Sequence, residues 1–313
     1  MSQAIKSDTE SEVTKVLPNL LDFPMETAKK TSALKRLLAS ANGDPSLITD
    51  ANSDSILLQL NTHRTRVAND GGIVLSVPNT LKAIMFALQN GLSTSNYSAF
   101  SPDFGVKLLD RNGNAVIKLY DLAGRDMKVL SGSFEKAKDQ GNNVLKNTNT
   151  ATLISENFLT GGQGMLLGAS IDDADAGSSA SQAVKGMFMS DNATASGQGV
   201  GYLESNRGGV SRFYYKRASD STMLNLGYDQ TSNYKKYSGL VGYISNSNNK
   251  VEIYENGVKK QETAVAPIDL TTVNIYPVIS ALSLNSSIRE SWLVKSTSQI
   301  LAIALSSYLN KSI

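Results

Sequence analysis

From about residue 96 the chain changes to a period of two, and this pattern most limits what it can fold into. The segment FGVKLLDRNGNAVIKLYDLAG reads as strand, Asn-Gly turn, strand, with Val106, Leu108, Ala115, Ile117 and Leu119 expected on the buried face. Further strand candidates follow at 164–171, 184–189, 199–205, 210–217, 222–228, 238–245 and 250–266, separated by Gly-, Ser- and Asn-rich gaps. Alternation places successive side chains on opposite faces, so RFYYKR (212–217) splits its aromatics between core and surface. The clearest hairpin is KVEIYENGVKK (250–260), where Asn256-Gly257 supplies the positive φ values of a tight reversal. Val251, Ile253 and Val258 are expected to face a core. Many short strands punctuated in this way predict an antiparallel β-sandwich.

Upstream the period is helical. Ser2 to Thr14 is a polar arm, and Pro18 and Pro24 favour extended backbone after it. Residues 27–40 place Leu34, Leu37 and Leu38 on one stripe, and ANGDPS ends that helix. A second helix carries Ile56, Leu57, Leu60 and Val67, and a third carries Leu81, Ile84, Met85 and Leu88 and stops at Asn90-Gly91. Between them Asp70-Gly71-Gly72 marks a tight turn ahead of a short strand. Helices this short need their stripes buried, either in a satellite core or in a seam between chains. At the other end STSQILAIALSSYLNKS offers a Ser/Thr N-cap, with Ile300, Leu301, Ala304, Leu305, Tyr308 and Leu309 on one face of a terminal helix. The expected organisation is an N-terminal arm and helical docking or oligomerisation region over 1–95, then a β-sandwich with its C-terminal helix over 96–313.

Composition excludes several kinds of chemistry. There are no cysteines, so disulfides, thiolate nucleophiles and Cys-ligated metals are ruled out. The net charge is +2 with no basic block, which argues against nucleic acid and anionic membrane as partners. No apolar run approaches the ~18 residues of a membrane span, and the first residues contain no signal-peptide core.

Catalytic patterns are equally sparse. His63 is the one histidine, expected on an exposed helix surface, and it leaves a Ser-His-Asp triad or a His-based metal site without a second histidine. No Glu is followed by x-Asp, so the E-x-D-x-x-E pattern of some sandwich-fold glycosidases is missing. A carboxylate pair assembled from distant strands stays open, since such chemistry needs proximity in space only. No cofactor is expected. Calcium is the one cation that acidic turns could take, at Asp172, Asp173 and Asp175 or at Asp110, Asn112 and Asn114, although neither stretch continues into a twelve-residue loop with a closing Glu. Solvated Asx turns are the simpler account. GGQG and GQGVG lack the residues of a phosphate loop. Tyrosines crowd the β region instead, and YDQTSNYKKY sets Tyr228, Asn233, Tyr234 and Tyr237 together, the mixture of aromatic faces and amide groups that sugar binding uses.

VEIYENGVKKQETAV resembles the strand–turn–strand of concanavalin A-like, laminin-G-like jelly rolls, and YSGLVGYISNSNNK before it is similar to the strand that leads into that hairpin. The closing VNIYPVISALSLNSSIRESWLVKSTSQILAIALSSYLNK resembles the last strand and helix of such domains in bacteriophage proteins. RTRVANDGGIVLSVPNTLKAIMFAL resembles a segment of tailed-phage structural proteins that precedes a jelly roll. Together these cover roughly residues 64–310. The resemblance implies a non-enzymatic virion protein: a head fibre, capsid decoration or tail fibre component, usually a homotrimer. It would be assembled in the host cytoplasm, docked on other virion proteins through its N-terminal region, and could touch a host surface glycan with its sandwich. The alternatives are a carbohydrate-binding or adhesion protein outside a virus and a glycan hydrolase, because the fold alone does not choose among them.

Overall fold

A computed structural model describes residues 26–147, 149–173, 184–191, 200–205, 210–220, 222–229, 236–281 and 286–311. Three helices come first: α1 (Thr27–Ser40), α2 (Asp50–Asn69) and α3 (Val77–Gln89). Their starts and stops are local. Asn52 Oδ1 accepts the N–H of Thr49 at 2.8 Å ahead of α2, and Ser76 Oγ accepts the N–H of Asn79 at the start of α3. Gly91, at φ 63°, turns the chain out of α3.

The stripes expected from the sequence are buried against one another, with Leu34, Leu37, Leu38, Ile56, Leu57, Leu60, Leu81, Ile84 and Met85 in one cluster. They are therefore satisfied against one another within the chain. Leu88 stays exposed, and α3 instead buries a second side through Ala83, Phe86 and Ala87.

The strands form one antiparallel ribbon folded over on itself. Following the pairings, a front layer runs β13 (Met223–Asp229), β12 (Val210–Lys216), β11 (Gly201–Ser205), β10 (Val184–Ser190), β17 (Asn274–Ala281), β7 (Ala151–Ser155) and β4 (Met127–Ser131). The ribbon bends through β3 (Ala115–Leu119) and β5 (Phe134–Asp139), with β2 (Val106–Leu108) beside β3. A back layer then runs β6 (Asn142–Asn147), β18 (Ser286–Lys295), β9 (Gly164–Asp173), β14 (Gly239–Ser245), β15 (Lys250–Glu255) and β16 (Val258–Thr263). β1 (Tyr97–Phe100) lies along β18, and β8 (Leu159–Thr160) along β17. The two ends of the ribbon meet, where Lys260 of β16 sets its ammonium 5.6 Å from the ring centre of Tyr228 on β13. The mainly β sandwich read from the alternation is the fold observed.

The interior between the layers holds Leu167, Ala169, Leu203, Phe213, Tyr215, Leu240, Ile253, Ile279 and Leu293, among others. The outer side of the back layer is covered by α3 and by the terminal helix α4 (Gln299–Leu309). There Trp292 stacks on Tyr97 with ring centres 5.4 Å apart and meets Phe86 and Tyr308 edge-on. The α4 backbone comes so close to β14 that a Cβ on Gly239 would collide with the carbonyl oxygen of Ser306. This is why that strand has glycine there.

Three local expectations change. Ile117 was expected inward but is the extra residue of a bulge: Lys107 pairs Lys118 while Leu108 pairs Val116, which leaves Ile117 between them, 37% exposed. Val258 is 57% exposed, because β16 is the ribbon's edge and lies outside the core. Ile300 is 80% exposed, since α4 presents Leu301, Ala302, Leu305 and Leu309 to the sheet. No described helix is long and apolar enough to cross a membrane.

Candidate functional site

The described helices pack on the outer side of the back layer, and the outer side of the front layer is the face on which they do not sit. Alternation divides β12 cleanly. Phe213 and Tyr215 enter the interior, whereas Arg212, Tyr214 and Lys216 point outward and are half-buried. The register then assembles a cross-strand row. Asn225 on β13 is opposite Tyr214, Tyr214 is opposite Tyr202 on β11, and Phe188 holds the next position on β10. Beyond it come Val278 on β17 and Ile154 on β7. Val278 and Ile154 are buried together, with Tyr202 and Tyr276 packed against them. Phe158, exposed at the rim, meets the Tyr276 ring edge-on at 5.8 Å.

Tyr202 and Tyr214 stack at 4.3 Å between ring centres with 14° between their planes. Because they are direct cross-strand partners, the stacking axis runs from strand to strand, and Tyr214 turns its other ring face toward β13. Beside that face the next row pairs Arg212 with Gly227, which has no side chain, and Arg212 with Glu204. Arg212 Nη1 donates to Glu204 Oε1 at 3.0 Å, with the Glu204 side chain only 6% exposed beneath it. Burial, followed by the charge of Glu204, pushes the Tyr214 phenol up. Burial first, then Tyr214 and Glu204, does the same for Tyr202. Both hydroxyls are thus neutral at neutral pH. An aromatic ring, a guanidinium, an exposed Asn225 amide and the side-chain-free Gly227 lie in neighbouring register positions. That arrangement can stack an apolar sugar face and hydrogen-bond its hydroxyls.

The residues singled out in the sequence are placed differently. Tyr228 lies on the inward side of β13, half-buried against the interior cluster. Tyr237 is fully buried: its hydroxyl donates to Asp139 Oδ2 at 2.6 Å and the Arg289 guanidinium lies 4.7 Å from its ring centre. Its ring therefore offers no face to a ligand. Asn233 and Tyr234 lie outside the described residues. Asp172 is a buried strand residue of β9, paired with Lys236 at 3.0 Å, and does not sit in an acidic turn. Asp173 ends that strand, and Asp175 lies outside the described residues. Asp110 and Asn112 form a tight Asx turn, with the Asn112 N–H on Asp110 Oδ1 at 3.2 Å, while the Asn114 carbonyl takes the Lys136 N–H. Among the described residues no three His, Asp or Glu side chains are gathered to hold a metal.

His63 is buried, contrary to the expected surface position, and its Nε2 lies 2.7 Å from the carbonyl oxygen of Phe104. Four buried carboxylates away from the patch are likewise held by neighbours. Asp103 receives Asn79 and Asn143, Asp121 the N–H groups of Ala99 and Arg125, Glu252 the Tyr254 hydroxyl and Gln299, and Glu290 the Trp292 indole. They bind the fold together. None of them lies on the Tyr202–Tyr214 patch.

The stacked pair was only half visible in the sequence. Alternation in RFYYKR puts Tyr214 on the outside, but its partnership with Tyr202 depends on a register that no local signal states.

No family model and no curated protein matches this sequence. Among solved structures the chain is similar to the botulinum neurotoxin serotype D ligand binding domain in complex with N-acetylneuraminic acid, at 14% identity and TM-score 0.45, over 70% of this chain and 51% of that one. It is also similar to the botulinum neurotoxin serotype D binding domain (14% identity, TM-score 0.44, 67% and 51% covered). A third is the binding domain of botulinum neurotoxin DC in complex with rat synaptotagmin II (13%, TM-score 0.44, 69% and 52%). The chain spans about half the length of these structures. At this distance the likeness is one of general outline, and the functional reading rests on the chain's own residues.

Proposed function

We propose that this chain is a non-catalytic, glycan-binding display protein, in which the outer side of the front layer is the binding face. The observation that carries the reading is the Tyr202–Tyr214 stack, with Asn225 opposite Tyr214 and the Arg212–Gly227 pair in the next row. Sugar recognition calls for an aromatic face flanked by hydrogen-bonding side chains, and the described helices pack on the opposite layer. A panel of immobilised glycans tests it. Wild-type protein should bind at least one member, Tyr214→Ala should lose that binding, and Tyr228→Ala should keep it. Absence of any bound glycan would overturn the reading.

The setting proposed is a tailed-phage virion, as a head or tail fibre or decoration component. The resemblance of residues 64–88 and 273–311 to phage structural proteins supports it, and immunolabelling of purified particles is the decisive measurement. One observation favours the second reading, an adhesion protein outside a virus. The stripes of the three N-terminal helices are buried against one another, so these helices need no second copy to cover them. Light scattering separates the two: a trimer supports the fibre role, and a stable monomer favours the free adhesion module.

A further inference from the structure

The charges around the Tyr202–Tyr214 patch carry a further inference, which rests on the glycan-binding reading and specifies the class of glycan. Among the described side chains on this side, three cations each have a carboxylate partner. Arg212 is bonded to Glu204 at 3.0 Å, Lys216 lies 4.0 Å from Asp191, and Lys128 lies 2.7 Å from Glu156. Pairs so close cancel at a distance.

The central pair matters most. Glu204 lies almost completely beneath the surface and accepts from Arg212. An anionic sugar approaching that guanidinium must either share it beside a second negative charge or displace Glu204. Displacement would strand a buried carboxylate without its partner, which is a severe cost. A sugar hydroxyl meets neither obstacle. It takes one of the remaining guanidinium N–H groups while Glu204 keeps its own, and the Asn225 amide can donate or accept next to it.

We infer that the patch binds uncharged glycans, held by the outer face of Tyr214 and by hydroxyl hydrogen bonds to Arg212 and Asn225, and that Glu204 acts as a specificity residue by neutralising Arg212 against carboxylated or sulfated sugars. Glu204 works through Arg212 and is a positioning residue with an electrostatic role.

Isothermal titration of wild-type protein with a neutral linear glucan and with a polyuronate of similar length, at low and at high salt, provides the test. The neutral chain should bind with an affinity that salt barely changes, and the polyuronate should not bind. Asn225→Ala, at an exposed position, should weaken the neutral ligand severalfold without altering the fold. Tyr214→Ala should weaken it at least about tenfold, the equivalent of roughly 1.4 kcal/mol. Glu204→Gln preserves the shape and should create salt-sensitive polyuronate binding that the wild type lacks, a gain that no merely structural role would produce. Wild-type binding of the polyuronate alone, weakening steeply with salt, overturns this inference and leaves the glycan reading standing. A Glu204→Gln protein that folds and gains no anionic ligand also overturns it. Failure to bind either polymer or any glycan of a wider panel removes the glycan reading itself, and this inference with it.

Discussion

The imidazole of His63 and the carbonyl oxygen of Phe104 lie 2.7 Å apart, joining the second helix to the start of the sandwich across 41 residues of chain. For the neutral ring this contact fixes the proton on Nε2 and leaves Nδ1 to accept from Arg66, whose Nη2 is 3.3 Å away. Arg66 in turn donates to Asp126 and to the carbonyl of Asp121. Protonating His63 would place a second cation against Arg66 inside this joint.

Stability below neutral pH should reflect two opposed groups. Burial, with Arg66 adding to it, lowers His63 to about 4 from 6.5. Its contribution is therefore present above about pH 6.5 and lost as pH falls toward 4. Burial raises Asp121 to about 6, so its penalty at neutral pH is relieved as pH falls through 6. Replacing His63 by Gln removes the first effect and keeps the second. Urea unfolding should show His63→Gln gaining on wild type by up to about 3 kcal/mol between pH ~6.5 and ~4. An unchanged gap between the two proteins over that range would refute the assignment.

The Asn256-Gly257 reversal should tolerate very little. Asn256 and Gly257 have φ of 51° and 84°, and the Gly257 N–H donates to Ser306 Oγ on the terminal helix at 2.8 Å. Gly257→Val should cost about 1–3 kcal/mol through backbone strain and a clash with the Ser307 hydroxyl. Thermal melts would report it, and a variant as stable as wild type would contradict the positive-φ geometry.

Trp292 donates its indole N–H to Glu290 at 2.7 Å in the layer under the helices. Trp292→Phe keeps most of the apolar contact and takes one donor from a buried carboxylate. The expected loss is about 1.5–3 kcal/mol, as for a hydrogen bond to a charged group. Chemical denaturation monitored by far-UV dichroism measures it.

Tyr237→Phe removes the bond to Asp139 and should cost about 1–2 kcal/mol. Because the ring is buried, any glycan affinity of the folded protein should stay the same. A loss of binding without a loss of stability would return Tyr237 to the ligand site.

The alternating strands were legible because each has one face buried, as at 210–217 and 250–255. The stretch from 127 to 147 was not. β4 and β5 each bury a single residue, Met127 and Phe134, so their sequences carry almost no alternation and read as polar linker. The first helix was readable to its bounds, because Leu34, Leu37 and Leu38 form one stripe buried in a single cluster. The third has to satisfy both a helix cluster and a sheet, and a single-stripe reading could not show that. His63 misled for a similar reason. Nothing in NTHRTR says that Phe104, 41 residues on, brings a carbonyl to it. Local period gives faces, and partners come only from register and tertiary approach.

The meeting of β13 with β16 has a consequence for life at high local concentration. An open ribbon of strands would end in two rows of unpaired amides, each able to recruit a neighbouring molecule. Here the last strand carries Lys259, Lys260 and Glu262 outward, and Lys260 lies against Tyr228 of the opposite end. Many copies could be crowded on one surface without exchanging strands.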